Sequence, residues 1–498
     1  MSPGEKALVA GILLASAVVA SRLANRLSVP ALLLFLAIGM VIGSDAIGWV
    51  NFSDYGLAKT FGIFALALIL FDGGLRAGWP EIRPVVGISV SLAVIGTIVS
   101  AAITGFVAAP LLGISTLEGL LLGAVLSPTD GAAVFALLRG SRLKHSVERA
   151  LEGESGFNDP IAVLLVILLI EAITNAHNSA GDIALTVFNE IGFGIAFGVL
   201  IGLAAVAILK RLHLDSSGLY PVATIAFAAI SFGAADALGG SGFLAIYLTG
   251  LIIGGKPIPA RRTVEAFHDG LAWLAQVALF MTLGLLVFPS HFDSVALEGT
   301  AIALVLALVA RPVATAIACL PFRLPWREVV LIGWAGLRGA VPVVLATFVV
   351  VGHVPDAQNV FDIVFFAVVV STLLQGATVK PLAKRLGLTK DEPPPVASLR
   401  STAALERMGA RVLQFSVKQG DAIVGERIRD LGLPRETLVN LIVRDGSALP
   451  PRGSTVVEAG DELRVMMREE SEDEVAAVFT HWRTGLVADT SATRTHPL

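Results

Sequence analysis

Long apolar runs separated by short polar loops repeat along the first 387 residues, and after residue 388 the repeat stops. Thirteen runs can be marked out as helices that cross a hydrocarbon core at about 1.5 Å per residue. They lie near residues 7–21, 29–48, 58–75, 84–112, 117–138, 147–173, 185–209, 219–238, 241–254, 267–288, 297–320, 328–351 and 361–379. The loops are brief, so successive spans are antiparallel neighbours, and the expected fold is an all-α polytopic membrane unit over residues 1–388. The first run, with small residues from Ala15 to Ala20, has the look of a secretory signal, but its basic residues Arg22 and Arg26 follow the run instead of preceding it, which favours a span. Residues 389–404, with the Pro393–Pro395 run, read as a linker. Beyond it, residues 412–417, 438–443 and 461–467 have strand character and residues 423–433 that of a short amphipathic helix. This predicts a small α/β domain over 405–484, followed by an unstructured tail at 485–498.

Composition sharpens the division. Of the Asp, Glu, Lys and Arg residues, 45 precede residue 388 and 31 fall in the 111 residues from 388 on, so two solvents are written into one chain. A formal net charge of −4 and the lack of any basic run exclude nucleic-acid binding. Cys319 is the single cysteine, which excludes internal disulfides and thiolate metal clusters. Alternate loops carry 18 Lys and Arg, among them Arg76, Arg83, Arg142, Lys144 and Lys210, whereas the opposite loops hold Asp45, Asp54, Asp182 and Asp293. Basic loops stay in the cytoplasm, which places the N-terminus outside and the C-terminal domain inside.

An ionisable residue inside a span costs about 2.5–3.5 kcal/mol on insertion scales, so each one asks for a function. Asp72 stands at the inner end of the third span, Asp130 in the fifth, Glu154 and Asp159 in the sixth, Arg311 in the eleventh and Arg338 in the twelfth. Pro128 and Gly131 surround Thr129 and Asp130; Gly336, Gly339 and Pro342 surround Arg338. Proline removes a donor and glycine loosens the helix, freeing backbone carbonyls in mid-span, although both residues are also common in membrane helices. The two interrupted spans are seven apart and therefore run oppositely, as inverted repeats of six spans joined by one linking span require; paired interrupted spans point to a transporter's binding site. Thr129, Asp130, Ser155 and Asp159 supply the hydroxyl, carbonyl and carboxylate oxygens that a hard alkali cation accepts. Burial penalises the charged carboxylate, so Asp159 can take either a proton or a cation, and competition for it is exchange. Its neighbour Asn158 is neutral, which makes one cation for one proton the simplest stoichiometry. Arg338 needs an internal partner, and Glu154 is the nearest free acid, giving a structural pair. Arg311, beside Pro312, is expected at a helix end or a lipid headgroup.

Through FDGGL (71–75), SPTDGAAVFALLRG (127–140), LEGESGFNDPIAVLL (151–165) and GLRGAVPVVLA (336–346), the sequence resembles the monovalent cation:proton antiporters, in particular the branch marked by an Asn-Asp pair in the sixth span. The resemblance implies crossed, partly unwound helices five and twelve, a homodimer and elevator-like alternating access. It puts the cation on Asp159, Asp130, Thr129 and Ser155, pairs Glu154 with Arg338, and leaves Asn158 and Asp72 as supporting residues. GERIRDLGLP (425–434), LVNLIVRDG (438–446) and EAGDELRVM (458–466) resemble the C-terminal regulatory domain of potassium-transport proteins. No GxGxxG follows a strand, so neither NAD nor ATP is expected as a cofactor.

The expected function is therefore secondary antiport of K+, or Na+, for H+ across a bacterial cytoplasmic membrane, with no enzymatic chemistry. K+ is favoured by the attached domain, for which a cyclic dinucleotide is a candidate ligand. The alternative is a channel-like cation pathway gated by that domain, against which stands the lack of a TVGYG-like filter.

Overall fold

Where no water reaches, backbone polar groups must satisfy one another, and the apolar runs accordingly form helices. The computed structural model describes residues 2–27, 31–131, 133–134, 142–174, 179–212, 214–390, 410–444, 447–468 and 471–484. Its helices are α1 (Pro3–Leu27), α2 (Ala31–Ile42), α3 (Tyr55–Ala77), α4 (Trp79–Leu112), α5 (Thr116–Leu126), α6 (His145–Thr174), α7 (Ala180–Arg211), α8 (Leu219–Ala237), α9 (Gly242–Gly254), α10 (Arg261–Leu285), α11 (Phe292–Phe322), α12 (Trp326–Trp334), α13 (Ala340–Val351) and α14 (Ala357–Arg385). Among the described residues, eight of these are long and apolar enough to cross a membrane, and five shorter apolar segments lie in α1, α2, α5, α9 and α13. Each falls on one of the apolar runs. A capping box at Ser115, whose hydroxyl accepts from the Glu118 amide while Glu118 reaches back to the Ser115 amide, starts α5.

Regular helix fails at matched places in the two halves. In α4 a π-helical turn covers Leu92–Gly96, and in α11 another covers Leu306–Ala310. The second precedes Arg311-Pro312, where proline withholds an amide and a wider turn accommodates the loss. One span later in each half the helix stops altogether, between α5 and residue 131 and between α12 and α13. The same irregularities recur seven spans apart in opposite orientation, which is the inverted repeat. Small residues bring neighbouring helices of the first half into backbone contact, since a Cβ on Gly123 of α5 would collide with the Ala101 carbonyl of α4.

Just before α6, β1 (Arg142–Leu143) pairs antiparallel with β2 (Thr389–Lys390), and the Lys144 amide donates to the Leu388 carbonyl at 3.1 Å. The first two residues of the expected linker are thus a strand edge of the membrane unit; the rest of the linker, 391–404, lies outside the described residues, as does the tail 485–498. Contacts divide the chain into Met1–Glu392 and Pro393–Leu498.

The second unit is a four-stranded antiparallel sheet, ordered β3 (Ala410–Ser416), β6 (Glu462–Arg468), β4 (Leu438–Arg444) and β5 (Ser447–Leu449), with α15 (Glu472–Thr484) packed on it. Trp482 of α15 stacks edge-on with Phe415 at 5.0 Å, and its indole N–H donates to the Leu431 carbonyl at 2.8 Å. The three expected strands are present. The helix expected at 423–433 is not: only Ile428–Asp430 makes a single 3-10 turn. Gly425 and Gly432 both take positive φ, and the amides of Gly425 and Ile428 donate to Val457 and Thr455 across the chain instead of along a helix.

Candidate functional site

The two breaks meet. Residues 127–130 leave α5 in non-helical conformation, residues 336–339 do the same between α12 and α13, and the Asp130 amide donates to the Leu337 carbonyl at 2.8 Å. Contact is so close that a Cβ on Gly339 would lie 2.2 Å from Asp130 Oδ2. Arg338 then reaches across, and its Nη1 donates to the carbonyls of Ser127 and Pro128, both at 2.8 Å. Those carbonyls lost their helical partners when α5 stopped, and a guanidinium at the negative end of the helix satisfies them. From α14, Thr372 donates to the Arg338 carbonyl at 2.9 Å and Gln375 to that of Trp334 at 3.1 Å, which holds the second break open.

Against the first break lies one strip of α6. Ser155 Oγ donates to the Thr129 carbonyl at 3.0 Å and accepts from the Gly131 amide at 3.1 Å. Asn158 Nδ2 donates to Thr129 Oγ1 at 2.7 Å, so the neutral partner of the Asn-Asp pair orients a hydroxyl. Asp130 Oδ1 accepts from the Ala133 amide at 3.0 Å. Asp159 is buried, and its Oδ1 accepts no hydrogen bond. Thr129, Asp130, Ser155 and Asp159 all line one cavity of about 450 Å³. Such a set of oxygens around a buried carboxylate suits a monovalent cation or a proton in turn. Among the described residues no three His, Cys, Asp or Glu side chains converge as a transition-metal site would require.

The structural ion pair differs from expectation. Glu154 pairs with Arg311 Nη2 at 2.5 Å, both side chains being almost wholly buried, while Arg338 is occupied by the carbonyls of the first break. Arg311 follows the π-helical turn of α11 and lies over the second break, where a Cβ on Gly336 would come within 2.4 Å of its Nε. It is therefore part of the crossing and not a headgroup anchor. A charge in the middle of an apolar run is the sequence signal for this role, and the adjacent Pro312 marks a π-helical irregularity within α11 and not the end of the helix.

Asp72 lines the same cavity, but one of its oxygens is held by Arg76 Nε at 2.8 Å, and Arg76 also pairs with Asp269 of α10. The described contacts thus put Asp72 in a salt-bridge network with α10 and not in direct contact with Asp159.

The sodium/hydrogen exchanger transmembrane family model matches residues 12–385, and the TrkA-C domain model matches residues 412–480. The chain belongs to the sodium/hydrogen exchanger family. Across 95% of its length and 83% of the relative's, it is 38% identical to the K(+)/H(+) antiporter NhaP2 of Shewanella oneidensis. It is 27% identical over 73% of its length to the Na(+)/H(+) antiporter ApNhaP of Aphanothece halophytica, of which it covers 71%. The solved structure of the sodium proton antiporter MjNhaP1 from Methanocaldococcus jannaschii superposes with a TM-score of 0.66 at 22% identity, over 77% of this chain and 99% of that one, which establishes the shared exchanger fold.

Proposed function

We propose that this exchanger moves a monovalent cation against a proton by alternating access, with both competing for Asp159. The observation that carries this reading is the crossing of the two breaks, which presses Thr129 and Asp130 onto Ser155 and sets the buried Asp159 at the wall of the same cavity. K+ is the favoured cation, because the relative matched over nearly the whole chain is named a K(+)/H(+) antiporter and the chain carries the TrkA-C domain. One cation per proton follows from the neutral Asn158 beside Asp159. The one-sided basic loops favour an outside N-terminus and a cytoplasmic C-terminal domain in a bacterial inner membrane. A homodimer, and a small ligand such as a cyclic dinucleotide on the C-terminal domain, complete the reading.

Purified protein in sealed proteoliposomes with a luminal pH dye tests it. An imposed K+ gradient should drive proton movement that persists when the membrane potential is clamped to zero. A channel would pass K+ without coupled protons, and that result would overturn the reading.

A further inference from the structure

Tyr247 of α9 is buried, its hydroxyl has no hydrogen-bond partner, and it lines the cavity that holds Asp159. The ring lies directly on α6: a Cβ on Gly156 would fall 2.0 Å from its Cζ and 2.4 Å from its Oη, and Phe157 meets it edge-on at 5.1 Å. Gly156 stands four residues after Glu152 and three before Asp159, so these three share one helical strip, and all of them line the cavity. The backbone behind the ring is fixed as well, since a Cβ on Gly74 of α3 would lie 2.5 Å from the Tyr247 carbonyl. A phenol with no protein partner at a cavity wall is free to bind what the cavity admits, water or a cation.

We propose that the Tyr247 hydroxyl is a ligand for the travelling cation, a waypoint between Glu152 and Asp159. The oxygen replaces one water of the ion's shell, while the aromatic ring, seated where Gly156 leaves room, narrows the passage. This rests on the antiport reading above. Because the ring belongs to α9 and the carboxylates to α6, sliding of one helix past the other would carry Asp159 away from the hydroxyl once it is loaded.

The test uses the full-length protein in proteoliposomes, with K+ and Na+ titrated separately. Tyr247→Phe keeps the ring and removes only the oxygen. The expected result is an apparent KM for the cation raised about fivefold at little change in maximal rate, the effect of one lost polar contact, together with a changed ratio of K+ to Na+ affinities. Unchanged KM values for both ions would overturn the proposal, as would a lower maximal rate at unchanged KM, which would make Tyr247 a packing residue. Should the Phe variant fail to fold, Tyr247→Met, which removes ring and oxygen together, takes its place, and unchanged KM values for both ions in that variant would equally overturn the proposal. Absence of cation-coupled proton movement in the unaltered protein would instead defeat the antiport reading itself.

Discussion

Glu154 of α6 and Arg311 of α11 form a 2.5 Å ion pair beside the second of the two broken spans. The guanidinium also fills the space that Gly336 leaves in the second break, so one side chain ties together the helix that bears Asp159, the π-distorted α11 and the interruption between α12 and α13. Arg338, next to that interruption, serves the opposite break through the Ser127 and Pro128 carbonyls. The two arginines thus clamp the crossing from two directions.

Arg311→Met leaves Glu154 buried without its counter-charge, a loss of about 3–5 kcal/mol for a buried pair deprived of one partner. The variant should show a markedly lower melting temperature in detergent. Adding Glu154→Gln should recover most of the loss, because the remaining group is then neutral. Arg338→Met lacks that rescue, and recovery of Arg338→Met by Glu154→Gln would put the pair back on Arg338.

Asp159→Asn should abolish cation-driven proton movement in proteoliposomes while the protein still inserts and elutes as a single species. The amide neither releases a proton nor balances a cation, and pH-dependent exchange surviving in this variant would remove Asp159 from the mechanism.

Competition at one carboxylate fixes the sign of the pH response. As pH falls, protons occupy Asp159 more often, so the apparent KM for the cation should rise; raising the cation concentration should move the acid limb of the activity profile to lower pH, since linkage between the two ligands is reciprocal. Measuring initial rates over a grid of pH and K+ checks this, and an acid limb indifferent to K+ would refute it.

Gly339→Ala should stop transport, because its Cβ would also lie 2.8 Å from Asp130 Cβ, a contact that rotation of the Asp130 side chain cannot relieve. Gly270→Ala, with nothing within 4 Å of the added carbon, is the matched control on α10 and should retain wild-type rates.

Two truncations separate the C-terminal domain from the strand that precedes it. Ending the chain after Glu392 keeps the β1–β2 ribbon; exchange should persist with an altered pH or ligand dependence if the domain is regulatory. Ending it after Leu388 also deletes Thr389 and Lys390, which pair with Leu143 and Arg142 just before α6, and should in addition lower the maximal rate. Identical profiles for full-length and both shortened proteins would deny the region any regulatory part.

Apolar run length and the placement of Pro and Gly were enough to read the spans, the two interruptions and their opposed directions, because a bilayer leaves a backbone few other ways to satisfy itself. The oxygen cluster of Thr129, Asp130, Ser155 and Asp159 was legible for a related reason: polar groups in lipid are too costly to stand there without a use. The choice of partner was not legible. Glu154 is close in sequence to neither arginine, and which of them it meets depends on the packing that buries Arg311 after the π-helical turn and on carbonyls, exposed only once α5 has stopped, that capture Arg338. Nor does anything in the local sequence of α9 announce that Tyr247 will rest on Gly156, since that contact exists only after two helices distant in the chain have packed to backbone distance. Lipid solvation acts on each segment by itself and is written locally; pairing among the few buried charges and hydroxyls is decided by the geometry of packing, which only the tertiary structure supplies.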